Sequence, residues 1–184
     1  MKKTVNLIAA PTATQPGGYI AKAYEDRTTP TVGQAELSVE AAEGKPGWKI
    51  SLSWACPAPV RSIANETDKF LDACALLVPA AEEAQWITMG EPGKPVEGAL
   101  WKADRERPWR MKAEGLGTMT RSEAPADWKV SAEHANGRWT VTFEIADWPV
   151  LKQYQQLAFA LWQGERQDRA GLKSISPGWI ALEA

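Results

Sequence analysis

Residues able to do chemistry are few in this chain of 184 residues. It has one histidine, two cysteines and four methionines, one of them the initiator. The histidine, His134, stands in SAEHANGRW. Asn-Gly there tolerates positive φ and marks a hairpin turn, so a solvated surface residue is expected. A single histidine argues against a Ser-His-Asp triad or a His-pair metal site within the chain. No CxxC or CxxCH occurs, and Cys56 and Cys74 have no zinc-ribbon spacing. GxGxxG, GxxxxGK[ST] and GxSxG are absent, and Gly115-Leu116-Gly117 lacks the rest of a dinucleotide fingerprint. No spacing pairs the carboxylates as glycoside hydrolysis requires. Two residues remain. Met89 ends an apolar step, Trp86-Ile87, at the lip of GEPGKPVEGALWKAD. It is either filler or a soft sulfur donor facing a cofactor. Lys173, in RAGLKSISPGW, lies between an Arg/Asp-rich stretch and a terminal strand. On composition alone it reads as a solvated lysine.

The elements that must position such residues read as strands. WKISLSWA puts Trp48, Ile50, Leu52 and Trp54 on one face, and RWTVTFEIADW does the same with Trp139, Val141, Phe143 and Ile145. AELSVEA alternates through Leu37 and Val39. FLDACALLVPA is apolar on both faces and ends at Pro79, as a central strand would. VNLIAA, LAFALWQG and SPGWIALE are further strands, AEGKPG and HANG are turns, and only DWPVLKQYQQL looks helical. Short strands with turn punctuation predict a mainly β fold, an antiparallel β-sandwich of the immunoglobulin or DOMON-like kind with one or two short helices. The length suits one domain over residues 1–184. The segment from Pro79 to Asp127 is Gly/Pro/Arg-rich and weakly periodic, so it reads as a long functional loop.

Composition narrows the function classes. Net charge is −2 with both signs interspersed, and no basic stripe points to nucleic acid. No run approaches the ~18–20 apolar residues of a membrane span. The start, MKKTVNLIAAPTATQ, imitates a signal peptide, but VNLIAA is short for its apolar centre and alternates like a strand. The two cysteines fit either a disulfide, contributing roughly 3 kcal/mol, or two buried inert thiols. Ten tryptophans are spread along the chain. They serve either as large core residues or, in part, as the lining of a flat apolar ligand. An exposed tryptophan platform for carbohydrate is the alternative function, and a purely structural sandwich is another. The inward alternation of Trp48, Trp54 and Trp139 speaks against the platform.

The ordered set FLDACALLVP, ITMGEPGKPVEGALWKAD, GRWTVTFEIADW and LAFALWQGERQDRAGLKSISPGW resembles the haem-b-binding gamma subunits of molybdoenzymes of the ethylbenzene dehydrogenase type. Dimethyl sulfide dehydrogenase, selenate reductase and chlorate reductase carry similar subunits. The shared pattern is Phe-x-Asp-Ala-x-Ala, Met-Gly, Trp-x-Ala-Asp, a hairpin strand, Ala-x-Trp-x-Gly and Lys-Ser before a Trp-containing strand. It covers residues 34–182. The resemblance implies one non-covalent haem b with Met89 sulfur and Lys173 nitrogen as axial ligands, and no catalysis by this chain alone. It implies electron relay between the iron–sulfur (beta) subunit of a heterotrimer, whose alpha subunit carries molybdopterin, and an external carrier such as cytochrome c, in the periplasm. Trp86 and Trp101 would wall the porphyrin, with Trp109 beside them. Arg105 and Arg169, with Arg107, Arg110 and Arg166 nearby, would pair with its propionates. In SWACP a cysteine stands where the family often has an acidic residue.

Overall fold

The computed structural model describes residues 1–11, 27–44 and 46–182. Thr12–Gln15 of the signal-like start, Lys45 of the AEGKPG turn and Glu183 of the last strand segment lie outside the described residues. The strands are β1 (Lys2–Asn6), β2 (Ile8–Ala9), β3 (Gln34–Ala41), β4 (Trp48–Ala55), β5 (Ala73–Pro79), β6 (Val96–Lys102), β7 (Trp109–Ala113), β8 (Thr120–Glu123), β9 (Trp128–Ala135), β10 (Arg138–Ile145), β11 (Gln156–Trp162), β12 (Ser174–Ile175) and β13 (Ile180–Ala181). Among the described residues a helix, α1 (Pro149–Tyr154), joins β10 to β11. Pro149 opens it, and Gln155 closes it in the left-handed region with its N–H on Leu151 O.

Two antiparallel sheets pack as a sandwich. The first runs β1-β3-β4-β10-β9, and the second β2-β12-β11-β5-β6-β7-β8 with β13 on β11. The alternation expected for the first sheet is present. Trp139 faces Trp54, Val141 faces Leu52 and Phe143 faces Ile50 across β10 and β4. All six are buried between the sheets, together with Trp128 of β9 at the edge of the same sheet, Trp148 just before α1, and Trp101 and Phe159 of the second sheet. Most of the large aromatics are therefore core. The β9–β10 turn has Asn136 and Gly137 at φ 52° and 70°, as Asn-Gly implies.

Two expectations are corrected. Residues 79–127 are not a long loop. They contain β6, β7 and β8, a meander extending the second sheet. Their periodicity is weak because Gly98 and Ala99 interrupt β6, and because β8 is exposed throughout. His134 is not a free turn residue either. It belongs to β9, its Nε2 lies 2.7 Å from the Cys56 carbonyl, and its ring meets the Trp139 ring at 5.1 Å. Cys56 and Cys74 are separate buried thiols. Burial raises both: Cys56 to about 11, with Asp72 nearby adding to the shift, and Cys74 well above its usual value.

The crossing from β11 to the 3-10 turn Gly164–Arg166 is tight. A Cβ on Gly164 would overlap the Phe70 carbonyl, and the Gly164 N–H is held by Asp72 Oδ1 at 2.8 Å. Gly164→Ala is therefore expected to destabilise the chain by about 3 kcal/mol or more, since neither backbone can retreat. A urea midpoint within error of wild type would contradict this packing.

Candidate functional site

The two faces of β5 have different tasks. Cys74, Leu76 and Val78 point into the core between the sheets. Ala73, Ala75 and Leu77 point the other way, into a cavity of about 630 Å³ on the outer side of the second sheet. The period-two geometry of neighbouring strands adds Leu100 of β6, Met111 of β7, and Ala158, Ala160 and Trp162 of β11. The volume falls within the ~300–1,000 Å³ usual for cofactor sites. Its floor is made of small side chains. Four alanines on two paired strands leave a flat apolar surface that larger residues would fill. Ala75→Phe or Ala160→Phe should therefore exclude a planar ligand while changing stability by less than about 1 kcal/mol, because the new ring enters open space. A ligand titration and a melting curve on each variant test this together.

The walls are loops. Trp86 and Trp162 pack against Ala160 and Ile175 at one end. Ile87 and Met89 come from the β5–β6 connection, Leu116, Gly117 and Met119 from the β7–β8 turn, and Phe70 and Arg169 from two further loops. Ile63 and Met119, two of the few large apolar side chains left exposed, belong to the lining too. The loop before β12 is anchored by buried Asp168, which accepts Gln163 N–H at 3.0 Å, Arg27 Nη1 at 3.0 Å and the Thr31 hydroxyl. Burial pushes the Asp168 carboxyl upward, opposed by those three donors.

Met89 and Lys173 meet in this cavity. They are 84 residues apart in sequence, yet Lys173 Nζ stands 4.0 Å from Met89 Sδ. Lys173 immediately precedes β12, and its carbonyl accepts the Ala10 N–H at 3.0 Å. Its ammonium has no carboxylate partner among the described residues. It lies 5.3 Å above the Trp162 ring, and Trp162 Nε1 is fixed by the Ala170 carbonyl at 2.9 Å. Burial lowers the Lys173 pKa to about 8. The side chain is thereby brought close to the neutral amine that a metal requires.

The remaining expected site residues divide. Trp86 and Arg169 line the cavity. Trp101 does not: it is 2% exposed, faces the core from β6 and packs edge-on against Trp139 at 5.1 Å. Its neighbour Leu100 takes the outward position. Arg105 does not line it either. Its guanidinium lies 3.5 Å over Trp109 and is paired with Glu123 at 3.1 Å. Arg110 is paired with Glu97 at 3.0 Å, and Arg107 donates to the carbonyls of Ala124 and Pro125. The cations that do line the cavity beside Lys173 are Lys102, Arg121 and Arg169, and none is ion-paired among the described residues. Lys102 and Arg121 went unnoticed in the sequence. The signal that finds them is their parity with the floor residues, Lys102 with Leu100 on β6 and Arg121 paired with Met111 across β7–β8.

The outer-face cavity, apolar and flanked by the Met89 sulfur and the Lys173 nitrogen, gives this β-sandwich a candidate ligand site. No family model matches the chain. Among curated proteins it is similar to one of Haloferax mediterranei named as a respiratory nitrate reductase haem subunit, 32% identical over 149 residues, covering 76% of this chain and 53% of the relative. It is 25% identical over 164 residues to the chlorate reductase gamma subunit of Ideonella dechloratans, covering 83% of this chain and 66% of that one. It is 28% identical over 167 residues to the dimethylsulfide dehydrogenase gamma subunit of Rhodovulum sulfidophilum, covering 80% and 60%. In sequence the chain is thus similar to haem and gamma subunits of reductase and dehydrogenase complexes. It spans between 53% and 66% of their lengths.

Proposed function

We propose that this chain holds one non-covalent haem b in the outer-face cavity and serves as the electron-transfer subunit of a molybdenum oxidoreductase complex. The observation that carries the reading is the Met89–Lys173 pair. Two donors on opposite sides of one first-row metal stand ~4.4 Å apart, the sum of bonds of ~2.1 Å to nitrogen and ~2.3 Å to sulfur. The 4.0 Å separation needs only a small opening to meet that. Histidine and cysteine offer no competing site: no group of three His, Cys, Asp or Glu suited to a metal occurs among the described residues. The alanine floor accepts a flat ring, and Trp86 and Trp162 cover its end.

Haem held by Met89 and Lys173 would supply a one-electron couple, and a thioether donor would favour its ferrous state. The chain's residues do the rest. Lys173 would bind as the free amine, Met89 would supply the soft sulfur, and the apolar floor would exclude water. Lys102, Arg121 and Arg169 offer charge-assisted hydrogen bonds to the two carboxylates. Catalysis belongs to partner subunits, a molybdopterin alpha subunit and an iron–sulfur beta subunit, with a carrier such as cytochrome c beyond. The relatives' names support the subunit role, and the cavity supports the cofactor. A periplasmic complex fits this reading. No helix of the described residues is long and apolar enough to cross a membrane.

Titrating haemin into the apo-protein tests the cofactor. Saturation at one per chain, lost in Ala75→Phe, supports the site. Saturable binding that Ala75→Phe leaves untouched would place the haem elsewhere and overturn the assignment.

A further inference from the structure

Met89 occupies a position that most chains give to glycine. Its φ is +56°, in the left-handed region where a side chain is strained. The hydrogen bonds around it are those of a helix C-terminal cap. Gly90 N–H reaches Gln85 O at 2.7 Å, and Met89 N–H reaches Trp86 O at 3.2 Å. These are the 6→1 and 5→2 bonds of the Schellman motif, and Met89 sits at the residue normally left to glycine. Something must hold it there. Its carbonyl accepts the Gly115 N–H at 2.9 Å, across from the β7–β8 turn. Gly90 is also enclosed: a Cβ on it would lie 2.6 Å from Lys94 O and 3.2 Å from Ala113 O.

The β7–β8 turn is held by the Thr118 N–H, which donates to Gly115 O at 3.2 Å, and is tied across by the Thr118 hydroxyl. Thr118 Oγ1 donates to Gly115 O at 2.7 Å and accepts Glu114 N–H at 2.8 Å. Thr118 is exposed and lies outside the cavity lining, whereas Leu116, Gly117 and Met119 beside it form part of the wall.

We propose that Thr118 is a positioning residue for Met89: its hydroxyl fixes the turn whose Gly115 N–H grips the Met89 carbonyl, holding the strained cap that aims the thioether at Lys173. The consequence for iron rests on the haem reading above; the clamp itself does not. Thr118→Val removes the hydroxyl from an exposed site and leaves the core untouched. The turn loosens, and Met89 relaxes from the left-handed region.

The test has an apo arm and a loaded arm. In the apo-protein labelled with 13C-methyl methionine, the Met89 signal, assigned by its loss in Met89→Ala, shifts or broadens in Thr118→Val and returns in Thr118→Ser. Met89→Gly melts above Met89→Ala, the reverse of the usual order, because only glycine is unstrained at that φ. In the haem-loaded ferrous protein, carbon monoxide would bind only after Met89 or Lys173 leaves the iron. Thr118→Val should accelerate that binding by about tenfold, the low end of what losing an outer-shell partner costs at metal sites. An unmoved Met89 signal in Thr118→Val, or Met89→Ala melting above Met89→Gly, overturns the clamp even if the haem is present. A shifted signal in a chain that takes up no haem sustains the clamp and sinks the functional reading instead.

Discussion

Lys173→Met is expected to abolish nitrogen ligation and, at the same time, to stabilise the empty protein. The wild-type chain keeps an ammonium in an apolar cavity with no carboxylate partner among the described residues. Burial lowers its pKa from 10.5 to about 8. Below that value the folded and unfolded chains both carry the proton, and the full penalty of burying the charge applies. Between the folded and unfolded values the unfolded chain binds the extra proton, so stability rises with pH. Above 10.5 the penalty is gone. Lys173→Met should therefore stabilise the apo-protein by about 1–3 kcal/mol at pH 7, with the gain shrinking as pH climbs from about 8 to 10.5. Denaturant midpoints at several pH values check it. A variant less stable than wild type at pH 7 would mean that the lysine has a partner or ready access to water. If the proposed ligation holds, the same variant and Met89→Ala should each lose the low-spin spectrum of the loaded protein. Unchanged spectra in both would refute the ligand assignment. A residue that weakens the empty fold and serves the cofactor is a common trade at functional sites.

Asp72→Ala is expected to have the largest structural effect in the chain. Asp72 is fully buried. Its carboxylate gathers Val60 N–H at 2.9 Å, Trp139 Nε1 at 2.9 Å and Gly164 N–H at 2.8 Å, with the Cys56 thiol at 3.5 Å. Its own backbone bonds Val60 and Ala103. One side chain thus ties the loop before β5, the first sheet through Trp139, and the end of β11. Alanine would leave three N–H donors buried without acceptors, at about 3–5 kcal/mol. Asp72→Asn should lose less, because its carbonyl oxygen still accepts while its amide opposes a donor. Its neighbours Leu71 and Ala73 line the cavity, so ligand affinity should fall with stability in Asp72→Ala. A midpoint within about 1 kcal/mol of wild type would show that the donors find water instead.

The sandwich was legible wherever one face of a strand is buried and the other solvated. β3, β4 and β10 meet that condition, and their alternation found their core residues. It failed over 79–127, where both faces of β6 are covered, one by core and one by cavity, and alternation carries no information. The family motifs become physical once placed. In Phe70-Leu71-Asp72-Ala73-Cys74-Ala75, Asp72 is the anchor and the two alanines are floor. In Ala160-Leu161-Trp162-Gln163-Gly164, Ala160 and Trp162 line the cavity and Gly164 passes Phe70 at backbone distance. Ser174 after Lys173 accepts Val32 N–H at 3.0 Å and fixes the strand that follows Lys173. The Met89–Lys173 encounter could not be read from spacing, because it depends on two connections closing over the same sheet face. Trp101 and Arg105 were misjudged for a related reason. Composition says which side chains can stack or pair, but strand parity decides which way they point.

The most direct measurement is an absorption spectrum of the purified chain, oxidised and then reduced with dithionite, followed by a pyridine haemochrome assay. A sharp low-spin α-band on reduction, with b-type haemochrome at about one haem per chain, is the expected result. No Soret band, even after haem is added back to the folded protein, would contradict the central claim.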